Sequence, residues 1–287
     1  SSDYAKNLCG LLFWRAISAN PTDPTRMRII TLNANGIRAA ANKGFYDWMH
    51  KQKADFVCIQ ETKAQHDQLK DRHFFPPGYH VYYHDALKKG YSGTAIYSRH
   101  QPDRVHYGLG WDVMDGEGRW LQIDVGNLSV VSLYLPSGSS KEERQQVKFQ
   151  CLDFLQPRLA QWARDGRDYV LCGDWNIAHK EIDIKNWRGN LKSSGFLPEE
   201  RAWMTELFGE VGMADAFRRV DPGEHRYTWW SNRGQAWDNN TGWRIDYHVT
   251  TPRLAEKAAA ADIYRDERFS DHAPLTMDYD YEVPGRT

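Results

Sequence analysis

The stretch Tyr169-Val170-Leu171-Cys172-Gly173-Asp174-Trp175-Asn176 constrains this chain more than any other. A short apolar run closed by a glycine reads as a buried strand. Asp174 and Asn176 lie two apart, so an extended backbone points both the same way. A carboxylate and an amide then leave the end of a core strand together, which costs desolvation unless something there uses them. On its own the stretch is equally readable as a Gly-Asp turn with side-chain caps.

Other segments place it in context. Spacing predicts strands over 28–32, 54–59, 94–97, 120–125 and 128–135, the last two a hairpin across Gly126-Asn127. Helical spacing covers 38–52, with Ile37, Ala41, Phe45, Trp48 and Met49 on one side. Ser140 with Glu143 reads as a capping box opening a second helix. Its apolar stripe is Val147, Cys151, Phe154, Leu155 and Trp162, and Pro157 predicts a kink. Pro198 opens a third helix with Trp203, Leu207 and Val211 inward. Strands over 227–230 and 243–247 flank a polar loop, and strand patterns return over 269–281. Strands alternate with helices while hairpins intrude. That combination predicts an α/β fold of two mixed β-sheets packed together and flanked by helices.

Length allows one large domain or two small ones, and no linker interrupts the pattern after Met27, so residues 27–287 read as a single domain. Residues 1–26, with the linker-like run Asn20-Pro21-Thr22-Asp23-Pro24-Thr25, read as a non-native leader. The net charge of −1 excludes a whole-molecule basic field, so a nucleic-acid partner must be held by a local patch. Cys9, Cys58, Cys151 and Cys172 form no C-x-x-C pair and read as free thiols of a reducing, cytoplasmic setting. No apolar run reaches membrane-spanning length. Nothing in the pattern calls for an obligate protein partner.

Polar residues collect where apolar strands end: Asn33, Glu61, Tyr134, Asp174, Asn176, Asp246, and Asp271 beside His272. Singly, each has a structural explanation. Asn33 fits a turn, Glu61 fits a loop cap, and Tyr134 fits a core aromatic with a wet hydroxyl. Asp246 could pair with Arg244, and Asp271-His272 could be a turn before Pro274. Eight such residues from strands far apart in sequence point instead to a shared site. The chain has no G-x-x-x-x-G-K-[ST], G-x-S-x-G, C-x-x-C or H-E-x-x-H, which removes phosphate-loop, serine-elbow and common zinc chemistries. Oxygen ligands dominate, which suits Mg²⁺, with Mn²⁺ able to substitute. A histidine, aspartates and amides suit phosphoryl transfer to water.

Together these motifs resemble the exonuclease III-type apurinic/apyrimidinic (AP) endonucleases of the endonuclease/exonuclease/phosphatase superfamily. The resemblance rests on Leu32-Asn33-Ala34-Asn35-Gly36-Ile37-Arg38, Gln60-Glu61-Thr62-Lys63, Tyr134-Leu135-Pro136-Ser137-Gly138, Gly173-Asp174-Trp175-Asn176, Trp243-Arg244-Ile245-Asp246-Tyr247 and Ser270-Asp271-His272-Ala273-Pro274. It runs from residue 28 to 281, and residues 173–190 with Trp229-Trp230 look most like bacterial members. The resemblance implies a four-layer α/β sandwich with the site at one edge. It implies Glu61 as principal metal ligand with Asn33 and Asp271 close by, Asp174 as base for the attacking water, and Asn176 holding phosphate or water. It further implies His272 stabilising the phosphoryl oxygens, Asp246 orienting that ring, and Tyr134 donating to the phosphate. Trp229 and Trp243 resemble the walls around a baseless sugar. Lys185, Trp187, Arg188 and Lys192 lie in what resembles a minor-groove loop, whose cations would contact phosphates. The activity implied is metal-dependent incision 5′ to abasic sites in double-stranded DNA, with trimming of blocked 3′ ends. Asn35 departs from relatives that carry an acid there. Two other readings stay open: a non-catalytic RNA-linked regulator of the same fold, and a phosphatase or phospholipase of the wider superfamily. The intact acids weigh against the first, and the 185–192 loop against the second.

Overall fold

In the computed structural model, residue 23 and residues 25–285 are described. The leader expected over 1–26 therefore lies, apart from Asp23, Thr25 and Arg26, outside the described residues, as does Cys9. Most of the strands form from runs rich in β-branched and aromatic residues. In chain order they are β1 (Met27–Asn33), β2 (Phe56–Gln60), β3 (His80–His84), β4 (Thr94–Ser98), β5 (Arg104–Tyr107), β6 (Trp120–Val125) and β7 (Leu128–Tyr134). They continue with β8 (Asp168–Asp174), β9 (Ala214–Asp215), β10 (Trp229–Trp230), β11 (Gly242–Trp243), β12 (Asp246–Thr250), β13 (Ala258–Ile263) and β14 (Leu275–Tyr279). One sheet has the order β13-β14-β1-β2-β4-β3, the other β5-β6-β7-β8-β12-β9, and β10-β11 form a small ribbon. Parallel pairing joins β1 to β2 and β7 to β8, and neighbours in both sheets pair antiparallel, so both are mixed as expected.

The α-helices of the described residues are α1 (Ile37–Asn42), α2 (Phe45–Gln52), α3 (Asp112–Asp115), α4 (Glu142–Trp162), α5 (Pro198–Phe208), α6 (Ala216–Val220) and α7 (Pro252–Ala255). Burial sorts the chain into four layers. Ile29, Cys58 and Ile96 of one sheet meet Ile123, Val130 and Cys172 of the other in the central core. The outer face of the first sheet buries Ile30, Leu32 and Val57 under Ile37, Phe45 and Met49 of α1 and α2. The outer face of the second buries Val131, Leu171 and Val249 under Leu155 and Leu159 of α4 and Met204 of α5. Among the described residues no helix is long and apolar enough to cross a membrane.

Several local expectations change. The helix foreseen over 38–52 divides into α1 and α2, because Gly44 adopts a left-handed φ of 87° between them. No capping box forms at Ser140: α4 begins at Glu142, with Lys141 at its N-cap and no side-chain cap bond. Pro157 lies within α4, which stays helical to Trp162. The strand foreseen over 243–247 breaks at Arg244, whose guanidinium turns to Asp183 at 2.7 Å and Asp215 at 2.6 Å. Asp246 is therefore not its partner.

Two features bring strand ends together. Gly173 holds φ 143°, and a Cβ there would lie 1.9 Å from the Leu133 carbonyl oxygen. Only glycine lets β8 approach β7 this closely and align Tyr134 with Asp174. Between the sheets, Gln60 accepts from Thr31 Oγ1 at 3.2 Å and donates to Ser132 Oγ at 3.0 Å. This buried polar tie pins the ends of β1 and β2 against β7.

Candidate active site

The ends of β2, β7 and β8 and the turn at residues 270–272 meet at one cleft of ≈ 770 Å³, with Asn33 at the end of β1 and Asp246 at the start of β12 buried behind it. Glu61, Tyr134, Asp174, Asn176, Trp229, Trp243, Asp271 and His272 all line it. Four non-glycine residues here, Asn35, Glu61, Lys63 and Asn176, hold positive φ angles of 44°, 49°, 49° and 52°. Such backbone is uncommon outside glycine, and persists where the surrounding structure over-determines it.

The carboxylates are wired together. Asn33 Nδ2 donates to Glu61 Oε1 at 2.8 Å and to Asp174 Oδ2 at 2.9 Å. Its own oxygen accepts from the Asn35 backbone N–H at 2.9 Å. Asn33, which the resemblance places close to the metal, thus donates to both acids. Asp174 Oδ1 accepts from the Asn176 N–H at 2.9 Å, the Asx turn that its spacing suggested. Asn176 Nδ2 donates to the Leu135 carbonyl at 2.8 Å.

His272 is buried among acids. Its Nδ1 lies 2.8 Å from Asp246 Oδ2, and its Nε2 faces Asp174 Oδ2 at 3.7 Å. Burial opposes its protonation, but Asp246, Asp174 and Asp271 outweigh that and raise its pKa to about 10. Burial pushes Asp174 up, with Asp246 adding to the rise and His272 opposing it, to about 7. Burial also works to raise Asp271, yet His272 and donors from Trp229, Ser270 and Asn35 hold it below the usual carboxylate range. Tyr134 stays a phenol: burial and the nearby Glu61 charge drive its pKa well up.

The aromatic candidates meet at the cleft wall. Trp229 and Trp243 stand edge to face at 6.0 Å and 84°. Trp229 Nε1 also donates to Asp271 Oδ2 at 3.1 Å. The 185–192 loop is anchored beside them, because the Lys185 N–H donates to Gly242 O at 3.0 Å and Ile184 bridges to Trp243. Lys185, Arg188 and Lys192 are exposed, with the Arg188 guanidinium 4.3 Å above the Trp187 ring. Lys192 lines the cleft.

Sequence reasoning passed over three neighbours. Lys63 places its ammonium 3.2 Å from Glu61 Oε2 and donates to Asn35 Oδ1 at 2.5 Å. Buried Arg119 lies 4.5 Å over the Tyr134 ring and donates to the Tyr134 carbonyl at 3.1 Å. Ile245 packs with Trp229 and Trp243. A charge heading the apolar strand β6 was the available signal for Arg119. Ile245 lay inside the Trp243–Tyr247 motif, but no role was read from its residue type.

Similarity to known proteins bears on this geometry. The profile of the "Endonuclease/Exonuclease/phosphatase family" matches residues 30–272. The chain belongs to that family. It is 40% identical to the exodeoxyribonuclease of Bacillus subtilis (strain 168), over 88% of this chain and 98% of that one. It is 33% identical to a DNA-(apurinic or apyrimidinic site) endonuclease of Dictyostelium discoideum, over 88% of this chain and 70% of that one. The solved structure of an AP endonuclease from Archaeoglobus fulgidus superposes with a TM-score of 0.81 at 30% identity, over 88% and 99% of the two chains. The expected α/β sandwich, with two six-stranded mixed sheets, is the architecture of this family member.

The donor set also fits a hard divalent cation. Glu61 and Asp174 bring carboxylate oxygens within 4.8 Å of each other, whereas His272, equally near, is held protonated and adds no ligand. The Lys63 ammonium beside Glu61 shows that this carboxylate edge already draws positive charge. Oxygen-rich, anionic and half-open surroundings are what such an ion requires.

Proposed function

We propose that this DNA repair nuclease hydrolyses the phosphodiester 5′ to an abasic site in double-stranded DNA, leaving a 3′-hydroxyl and a 5′ deoxyribose phosphate. It also trims blocked 3′ ends. The observation that carries the reading is the chain Asp246–His272–Asp174–Asn33–Glu61, which sets a base, a cation and a metal-capable acid around one cleft.

Asp174 is the base for the attacking water. Its pKa, lifted toward 7 by burial, keeps it basic enough to take a proton and ionised enough to do so near neutral pH. Asn33 and the Asn176 N–H fix both of its oxygens. His272, held protonated by Asp246, faces the same space and neutralises charge growing on the phosphoryl oxygens. Tyr134, a phenol at all relevant pH values, donates to the phosphate, with Arg119 fixing its ring. Asn176 positions phosphate or water. Glu61 would hold the divalent ion, with Asp271 close by and Asn33 bracing the acids. Bound there, Mg²⁺ or Mn²⁺ supplies positive charge to the phosphodiester and its departing oxygen.

Trp229, Trp243 and Ile245 wall the space for a sugar without a base. DNA lacking a base extrudes that sugar at lower cost, so deformability selects the lesion. Lys185, Arg188 and Lys192, beside Trp187, contact phosphates. The three described cysteines are free and buried, which supports a reducing, cytoplasmic setting.

The test is a labelled duplex carrying one tetrahydrofuran abasic analogue, incubated with Mg²⁺ or with EDTA beside an intact duplex. Metal-dependent incision at the lesion supports the reading. Digestion from 3′ ends alone moves the function to end-processing, and binding without cleavage overturns it.

A further inference from the structure

Lys148 on α4 is fully buried, and the reaction above does not use it. Its Nζ donates to the Asn176 carbonyl oxygen at 2.6 Å and pairs with Glu200 Oε1 at 2.6 Å. Glu200, also fully buried, receives further donors. Gln145 Nε2 joins Lys148 on Oε1 at 3.0 Å, while the Gly195 and Leu197 N–H groups reach Oε2 at 2.7 and 3.0 Å. A buried ion pair is a poor source of stability, because desolvation consumes most of the attraction. The reason for its place lies in what it holds.

Asn176 needs holding. Its φ of 52° is left-handed for a residue with a side chain. That conformation turns its carbonyl toward Lys148, away from the cleft that its side chain lines. Without the ammonium, the carbonyl would lose its hydrogen bond beside a buried carboxylate. The same pair reaches the DNA-facing loop. Ser194 Oγ donates to Gln145 Oε1 at 2.6 Å, and the Ala178 N–H donates to Gly195 O at 2.8 Å. Ser193 Oγ donates to Asn190 Oδ1 at 3.0 Å, and Asn190 lines the cleft.

We propose that Lys148, with Glu200 as counter-ion, is a positioning residue that holds the left-handed turn at Asn176 and locks it to residues 190–195. Its action runs through Asn176, so the inference rests on the role given to Asn176 above. The chemistry is that of a buried ammonium bonded to the turn at Asn176 and to Glu200, which in turn accepts from the Gly195 N–H of the loop.

Lys148→Met alone leaves a buried, unpaired Glu200 and risks unfolding, so the informative variant is Lys148→Met/Glu200→Gln. It removes both charges and keeps similar volume. Its Tm stays within a few degrees of the wild type, while kcat on an abasic duplex falls about 10- to 100-fold, the scale of a small misplacement at a reacting centre. In an Asn176→Ala background the same pair of substitutions lowers kcat by a smaller factor than in the wild type, because the side chain it positions is already gone while the residue-176 N–H to Asp174 remains. Wild-type kcat in Lys148→Met/Glu200→Gln overturns the proposal. So does a fall in kcat that multiplies in full on top of Asn176→Ala, or one that only tracks Tm. If Asn176→Ala itself keeps wild-type kcat, the role of Asn176 falls, and the proposal with it; incision of the abasic duplex by the wild type reports separately on the overall function.

Discussion

Gly173→Ala tests whether the close approach of β7 and β8 places Asp174, the carboxylate proposed as the base. An alanine Cβ would lie 1.9 Å from the Leu133 carbonyl oxygen, where ordinary van der Waals contact begins at 3.4 Å. The obstacle is backbone in a parallel ladder, so no side chain can swing aside; the strands must part by more than an ångström. The φ of 143° adds conformational strain for any residue with a Cβ. Overpacking and backbone strain each carry about 1–3 kcal/mol, so the loss is about 2–6 kcal/mol. For a chain of this size that lowers Tm by roughly 3–10 °C. Tyr134 and Asp174 are register partners immediately after this close approach, so both shift together. A displacement near 1 Å should lower kcat about 10²-fold at temperatures where the variant remains folded. Thermal melts and single-turnover incision of an abasic duplex read the two effects. An unchanged Tm refutes the steric reasoning. A lowered Tm with wild-type kcat refutes the claim that this ladder sets the position of Asp174.

Three further outcomes follow from the geometry. Asp174→Asn should lower kcat by about 10²-fold or more while leaving DNA affinity within a few-fold, measured by single-turnover kinetics beside a binding titration; near-wild-type turnover removes the base assignment. Burial depresses His248 to about 3 and, against the opposing Asp183, His179 to about 4. The unfolded chain takes up these two protons first, while the folded chain takes up one first at Asp174, raised to about 7; the histidines outweigh it, so Tm should fall as pH drops from about 6.5 toward 4, and a flat or rising Tm across that range contradicts it. Replacing Lys185, Arg188 and Lys192 together by alanine should weaken Kd and flatten the dependence of log Kd on log salt, by up to about one unit of slope for each phosphate no longer neutralised. An unchanged slope places the loop off the DNA.

Chemistry at the strand ends was legible in the sequence because period-two spacing and a glycine-terminated apolar run are local signals. They identify Asp174 at a strand end, while Asn176 reaches the cleft through a left-handed turn rather than an extended strand, and hairpins among helices announce two mixed sheets. Helix boundaries were less legible. Gly44 divides one predicted helix through its left-handed backbone, and Lys141 rather than Ser140 occupies the start of α4, since both outcomes depend on neighbouring chain.

Residue order alone sets which residue types stand at the strand ends, and so makes oxygen ligands, a histidine and aromatic walls available. Their partners are chosen by how the strands and sheets pack. Arg244 turns to Asp183 and Asp215, leaving Asp246 to His272. Asn33 presents its nitrogen to two acids, and Lys148 reaches Asn176 across 28 residues of chain. Spacing along a strand specifies direction, but distances between strands are set by how two sheets pack, and hydrogen-bond choice and pKa follow those distances.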